Sequence, residues 1–273
     1  MATRDPREIE PILRSETSGL RDRIVRNLGD FTVALFGISG RPDETLRFAG
    51  TGTLVLVEGR LFILTALHVW EEVLKSADRI GITMKEHVVH RTVIERAAVV
   101  AYGPPKPPSW SERGPDIVLL SVPTEDMGRI SAYRSFWNLT GRVDVNAEVL
   151  EMRVLMGTPA ALGTITEKNA DLQINGMFLG PETMCTIGSF DYLDYEIDHS
   201  FPGVPRKLGG VSGGGIWFVW LYWADEKVDW KMSLHGVAFY GLPINEQRSI
   251  LRCHGAQSIY AAVRCASGHR DRP

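Results

Sequence analysis

The chain is 273 residues long and 44% hydrophobic, enough apolar material for one large globular domain or two small ones, so disorder is not expected. Its 30 basic and 33 acidic residues are interspersed and give a formal net charge of -3, with no basic block to follow a phosphate backbone, which sets nucleic acid aside as a partner. No apolar run is long enough to span a bilayer, and residues 1–18 are too charged for the apolar stretch of a secretory leader; a cytoplasmic protein with no membrane partner is expected.

Residues 5–28 have a helical period: Ile9, Ile12 and Leu13, then Leu20, Ile24 and Leu28, recur at three- and four-residue spacing, and Gly29 supplies a stop. From Phe31 the period shortens. Runs rich in Val, Ile, Leu, Phe and Thr alternate with Gly, Pro and Asp turns, which predicts strands near 31–36, 50–57, 61–66, 79–84, 93–102, 117–122, 149–156, 162–166, 183–189, 214–222 and 233–240. Glu58-Gly59-Arg60 reads as a tight hairpin turn between two of them. Residues 103–115, with Pro104, Pro105, Pro107 and Pro108, read as a loop, and 124–146 as a polar, partly helical connector. Many short strands with few helices predict a mainly β protein, a sandwich or a barrel. Cys185, Cys253 and Cys265 are an odd count outside any spacing that suits a metal, and are expected to be reduced thiols.

Three segments carry chemistry. His68 ends the apolar run Leu64-Thr65-Ala66-Leu67-His68, Asp116 opens Pro115-Asp116-Ile117-Val118-Leu119-Leu120, and Ser212 sits among glycines in Gly210-Val211-Ser212-Gly213-Gly214. Taken singly, each has a plain alternative: a core histidine satisfied by backbone, a turn aspartate after Gly114-Pro115, and a flexible glycine loop. Together, in chain order, they supply a base, its orienting carboxylate and a nucleophile. Gly210-Val211-Ser212-Gly213-Gly214 also satisfies the G-x-S-x-G pattern of α/β-hydrolases, in which Asp229 and His254 would complete an esterase triad, but that pattern needs strand and helix alternating around the serine.

At these three segments, the sequence resembles the trypsin-like (chymotrypsin-fold) serine peptidases, over about residues 31 to 262. The resemblance implies two antiparallel β-barrels with the site between them. The expected division is an N-terminal helical extension over 1–30, a first barrel over 31–125, a connector over 126–146, a second barrel over 147–265 and a tail over 266–273. It assigns His68 as general base and acid, Asp116 as its orienting carboxylate and Ser212 as nucleophile, with the amides of Gly210 and Ser212 as oxyanion hole. Phe239, Tyr240 and Gly241, in a run that looks like the family's substrate-pairing strand, are expected to add an extended peptide to the sheet. Neither a metal nor an organic cofactor is required, and the partner expected is a protein or peptide substrate.

The chain also departs from the family's pattern. Val211 stands where secreted members often carry an aspartate that receives a freshly cut N-terminus, so activity is expected not to depend on N-terminal maturation, and the glycine loop must be held by packing, by substrate or by an activating partner protein. Arg206, six residues before the serine and next to Lys207, aligns with the floor of the first specificity pocket and would favour an acidic side chain there; the alternative is a solvated basic pair. Trp217, Trp220, Trp223 and Trp230 read as core and hairpin packing or as an interaction surface. A trypsin-like fold used only for binding or scaffolding remains the second reading of the whole chain.

Overall fold

The structure is a computed structural model that describes residues 5–83, 91–104, 114–145, 148–166, 170–201 and 203–268. It is mainly β, with two large sheets. The first contains β1 (Thr32–Ser39), β2 (Thr45–Val57), β3 (Arg60–Thr65), β4 (Arg79–Thr83), β5 (Arg91–Glu95), β6 (Val100–Tyr102), β7 (Val118–Ser121) and β8 (Trp137–Asn138). Their order is β5-β4-β1-β2-β3-β7-β6, all antiparallel, with β8 added to β2 in parallel. The second contains β9 (Leu150–Gly157), then, beyond the small ribbon of β10 (Thr164–Ile165) and β11 (Ala170–Asp171), β12 (Asn175–Leu179), β13 (Thr183–Ile187), β14 (Phe190–Asp198), β15 (Gly215–Ala224), β16 (Lys227–Pro243) and β17 (Arg248–Gly255). Its order is β12-β9-β15-β16-β17-β14-β13, antiparallel throughout. Among the described residues, the end strands of each sheet are not hydrogen-bonded to each other, so each sheet is an open path.

Local chemistry explains most boundaries. The β2–β3 hairpin closes on Glu58 and Gly59, both at positive φ (48° and 77°), and Val57 pairs with Arg60, the two-residue geometry that matches the strand twist. The single N-terminal helix expected over 5–28 is instead two, α1 (Ile9–Arg14) and α2 (Leu20–Gly29). The break falls where short hydroxyl side chains compete for the backbone: Ser18 Oγ donates to Ser15 O at 2.9 Å and accepts from Leu20 N at 3.2 Å. The apolar period runs through the break because both helices face the same core.

The strand expected over 93–102 divides as well. β5 ends at Glu95, a single 3-10 turn follows (Arg96–Ala98), and β6 lies at the opposite end of the sheet. Within 162–166 a 3-10 turn (Ala160–Leu162) precedes the two-residue β10. The connector is α4 (Thr124–Ser131) followed by β8, and most of the proline-rich loop lies outside the described residues.

Ile9, Leu20, Ile24 and Leu28 are fully buried in one cluster with Phe62 and Leu64 of the first sheet and Val154 and Trp217 of the second. The N-terminal segment is therefore part of the core and not a mere extension of it; each such side chain contributes about 1.5–3 kcal/mol by burial. A helix absent from the sequence expectations, α5 (Ala256–Ser267), adds Ile259, Ala262 and Ala266 to the same cluster, so the residues expected as a tail from 266 begin inside it. The N-terminus of α5 is capped from β14: Asp191 accepts from the Gln257 and Ser258 amides at 3.1 and 2.7 Å. Trp217 packs against Phe31 and Trp137 in the core, with ring centroids 5.3 and 5.4 Å apart, while Trp223 and Trp230 border the same cluster. No helix among the described residues is long and apolar enough to cross a membrane.

Candidate active site

β3 delivers His68. The strand ends at Thr65, Ala66 stays extended, and a helical turn, α3 (Leu67–Val69), turns the histidine towards the start of β7. Asp116 lies just before β7 and is bound twice by the same residue: the His68 amide donates to Oδ1 at 2.8 Å, and Nδ1 lies 2.6 Å from Oδ2. The Asp116 side chain is 5% exposed and that of His68 25%. A carboxylate accepts only, so the Nδ1 proton sits between the two and the lone pair of the neutral ring is on Nε2. Burial pulls the His68 pKa down, but the hydrogen bond and charge of Asp116, with the charge of Glu72, outweigh it and hold the pKa above the ordinary histidine value.

Behind Asp116 stands a second histidine that the sequence reading gave only to the esterase alternative. His254, fully buried on β17, accepts the Asp116 N–H at Nε2 over 2.9 Å and stacks on Phe239 at 4.3 Å. Accepting at Nε2 fixes its neutral, Nδ1-protonated form, and burial lowers its pKa to about 4. Asp229 sits in the outer part of the β15–β16 hairpin opposite Tyr222, and the glycine loop leads into a strand, so Asp229 and His254 do not form an esterase-type triad around Ser212.

Ser212 and His68 line one cleft of about 520 Å³, together with Asp116. The Ser212 hydroxyl is half-buried and lies 3.4 Å from Phe239 O, a long and weak contact that leaves it free to re-aim. Around it every carbonyl from 209 to 214 is taken. Gly209 O accepts from Ala160 N (2.8 Å), Gly210 O from Thr51 Oγ1 (2.7 Å) and Val211 O from Gly214 N (2.8 Å). Ser212 O accepts from Thr51 N (2.9 Å), Gly213 O from Thr53 Oγ1 (3.0 Å) and Gly214 O from Ala238 N (2.9 Å). By contrast, the N–H groups of Gly210 and Ser212 donate to no acceptor among the described residues. Gly210 and Gly213 have φ of +93° and +89°, and a Cβ on Gly213 would lie 1.9 Å from Thr51 O, so no other residue fits there without rearrangement.

Phe239, Tyr240 and Gly241 border the cleft on β16. β15 pairs with β16 only as far as Val237, whereas β17 pairs with it out to Pro243, so one edge of Tyr240–Pro243 faces the cleft unpaired by a strand among the described residues. Arg206 and Lys207 also border the cleft, both exposed and without a carboxylate partner among the described residues. Nearby is a pair that the sequence did not announce: His199 Nδ1 donates to Pro205 O at 2.7 Å, and its Nε2 lies 2.8 Å from Ser249 Oγ. No group of three or more His, Cys, Asp or Glu among the described residues is arranged to hold a metal ion.

No family model and no curated protein matches the chain. Among solved structures, one chain is from work on how aromatic interactions drive the coupled folding and binding of the intrinsically disordered Sesbania mosaic virus VPg protein; it aligns over 86% of this chain and 95% of its own length, at 14% identity and a TM-score of 0.41. A likeness of that size carries no argument about this protein.

Proposed function

We propose that the protein is a serine endopeptidase of the trypsin-like kind, its two sheets corresponding to the two β-barrels of that fold and its cleft to the active site between them. The observation that carries this reading is the part-buried His68–Asp116 pair at 2.6 Å, whose histidine lines the same cleft as Ser212. In the proposed reaction, Ser212 Oγ attacks the scissile carbonyl as His68 Nε2 takes its proton, and the Gly210 and Ser212 amides hold the oxyanion. His68 then protonates the leaving amine, and water, activated by the same nitrogen, releases the acyl group.

The two uncommitted amides support the oxyanion assignment, since donors of that kind contribute about 2.7–4 kcal/mol each to the transition state. The open edge of Tyr240–Pro243 supports an extended peptide as substrate, added as a further strand. The test is a fluorophosphonate probe. Covalent labelling of the parent at Ser212, absent from Ser212→Ala, is expected; a folded parent that neither reacts with the probe nor cleaves any member of a peptide library sinks the proposal.

A further inference from the structure

We infer that Thr51, on β2 of the first sheet, is the positioning residue that keeps the nucleophile loop in its oxyanion-binding shape; the inference rests on the peptidase reading above. The loop has five glycines among the seven residues 209–215, so its own conformational preferences do not select one shape. In a trans peptide, the C=O of one residue and the N–H of the next point in opposite directions, so fixing a carbonyl fixes the amide that shares its plane. The plane carrying the Gly210 N–H is fixed by Ala160 through Gly209 O, and the plane carrying the Ser212 N–H by Gly214 through Val211 O.

The planes on either side of the Ser212 amide are both held by one residue. Thr51 Oγ1 donates to Gly210 O at 2.7 Å, and Thr51 N donates to Ser212 O at 2.9 Å. The same Oγ1 accepts from Thr158 N at 2.9 Å, two residues before the Ala160 amide that holds Gly209 O. Thr51 is itself fully buried and held in turn, its carbonyl accepting from Thr65 Oγ1 at 2.7 Å on the strand that leads to His68. A single residue, through its hydroxyl, amide and carbonyl, thus joins the loop, its supporting turn and the histidine's strand. It does what a maturation-dependent salt bridge before the serine would do, but from the first sheet and with no new chain end.

The test compares Thr51→Val, which keeps shape and loses the hydroxyl, with Thr51→Ser, which keeps it. Thr53→Val is the control, since Thr53 Oγ1 reaches only Gly213 O, away from both amides. Peptide cleavage and inhibition by a peptide aldehyde are measured, together with amide exchange across 209–214. Thr51→Val is expected to lower kcat about 10- to 100-fold with KM changed less than about threefold, a fraction of the loss from deleting a donor outright. Aldehyde affinity, which depends on the oxyanion site, should fall by the same factor, the Gly213 and Gly214 amides should exchange about tenfold faster, and Thr51→Ser should restore all three.

If Thr51→Val does not fold, Thr51→Cys, with a weaker donor of similar shape, is expected to lose about threefold to tenfold in kcat and in aldehyde affinity. The inference is overturned if a folded Thr51→Val, or Thr51→Cys in its place, keeps kcat within twofold of the parent, or if Thr53→Val loses as much. Should the parent itself neither react with a fluorophosphonate nor cleave any member of the peptide library, the peptidase reading falls separately, and unchanged exchange in Thr51→Val then overturns the clamp.

Discussion

The two halves of the site are held in different ways. On the first sheet, His68 and Asp116 are fixed by side chains: a buried carboxylate takes the histidine's amide and ring proton, and the backbone amide of the same aspartate donates to His254. On the second sheet, the loop around Ser212 contributes little through side chains; it is fixed carbonyl by carbonyl, largely by threonines and amides from elsewhere. The first half stores its geometry in charge and hydrogen-bond chemistry, the second in backbone planes. Perturbing them should therefore fail differently, the first in chemistry with the fold intact, the second in fold and chemistry together.

The largest effects are expected where the reacting groups are removed. Ser212→Ala and His68→Ala should each abolish cleavage, and Asp116→Asn should lower kcat about 10⁴-fold by presenting the wrong histidine tautomer. Because His68 and Ser212 line the open cleft, both alanine variants should melt close to the parent; loss of cooperative unfolding together with activity in His68→Ala would show that the first half is structural and break the contrast. The backbone half gives the opposite signature. Gly213→Ala would put a Cβ 1.9 Å from Thr51 O and 2.2 Å from Thr65 Oγ1, at a φ of +89°, so a destabilisation of about 3 kcal/mol or more is expected along with lost cleavage. Chemical denaturation measures it, and a variant within 1 kcal/mol of the parent would show that the loop adapts freely.

The same contrast decides what the sequence revealed. His68 and Asp116 were legible because each lies beside an apolar run, and the Glu58-Gly59 turn because two positive φ angles call for particular residues. Thr51 was not, since a threonine in a strand has ordinary β chemistry and only the fold brings it to the loop. β14 and β17 were missed for a related reason. Their charged residues, Asp194 with Arg252 and Glu196 with Arg248, neutralise one another across the strand pair, and neither strand alone shows that they do. α5 lacks a local cap because Asp191, on another strand, supplies it. The triad assignment, taken from a resemblance, is still a proposal; what the fold adds is the pairing of two of its members and the shared cleft.

A pH series separates His68 from the histidine behind Asp116. In the proposed reaction His68 must be neutral to act, and its pKa is raised, so kcat/KM should climb about tenfold per pH unit below that raised value and level above it. His254 works in the other direction, through stability. Its folded pKa of about 4 lies below the ordinary value of 6.5, so the unfolded chain binds the proton first as pH falls. The stability it contributes is whole above pH 6.5 and is lost between there and pH 4, in total roughly 3 kcal/mol. Replacing His254 with Gln, which keeps an acceptor without titrating, should flatten that part of the stability curve. An unchanged acid limb in His254→Gln would remove His254 as its source.

The smallest effect expected is at the rim, where neither mode of fixing applies. Arg206 and Lys207 border the cleft as exposed cations, and Glu246 borders it as an exposed anion, so their fields are screened by water. Arg248 is already paired with Glu196 at 2.8 Å, which leaves Arg206 and Lys207 as the uncommitted positive groups among the described cleft residues. A substrate side chain carrying a carboxylate should be preferred over one carrying an ammonium, and Arg206→Glu should shift that ratio about fivefold towards the basic side chain, the scale of exposed ion pairs. Melting should not change, because Arg206 makes no ion pair among the described residues. Paired peptides that differ only in the residue before the scissile bond, assayed at low and at high salt, measure the ratio. The shift should shrink as salt rises; a ratio indifferent to the substitution at low salt would place the selective contacts deeper, at the His199–Ser249 pair, where geometry and not charge would do the selecting.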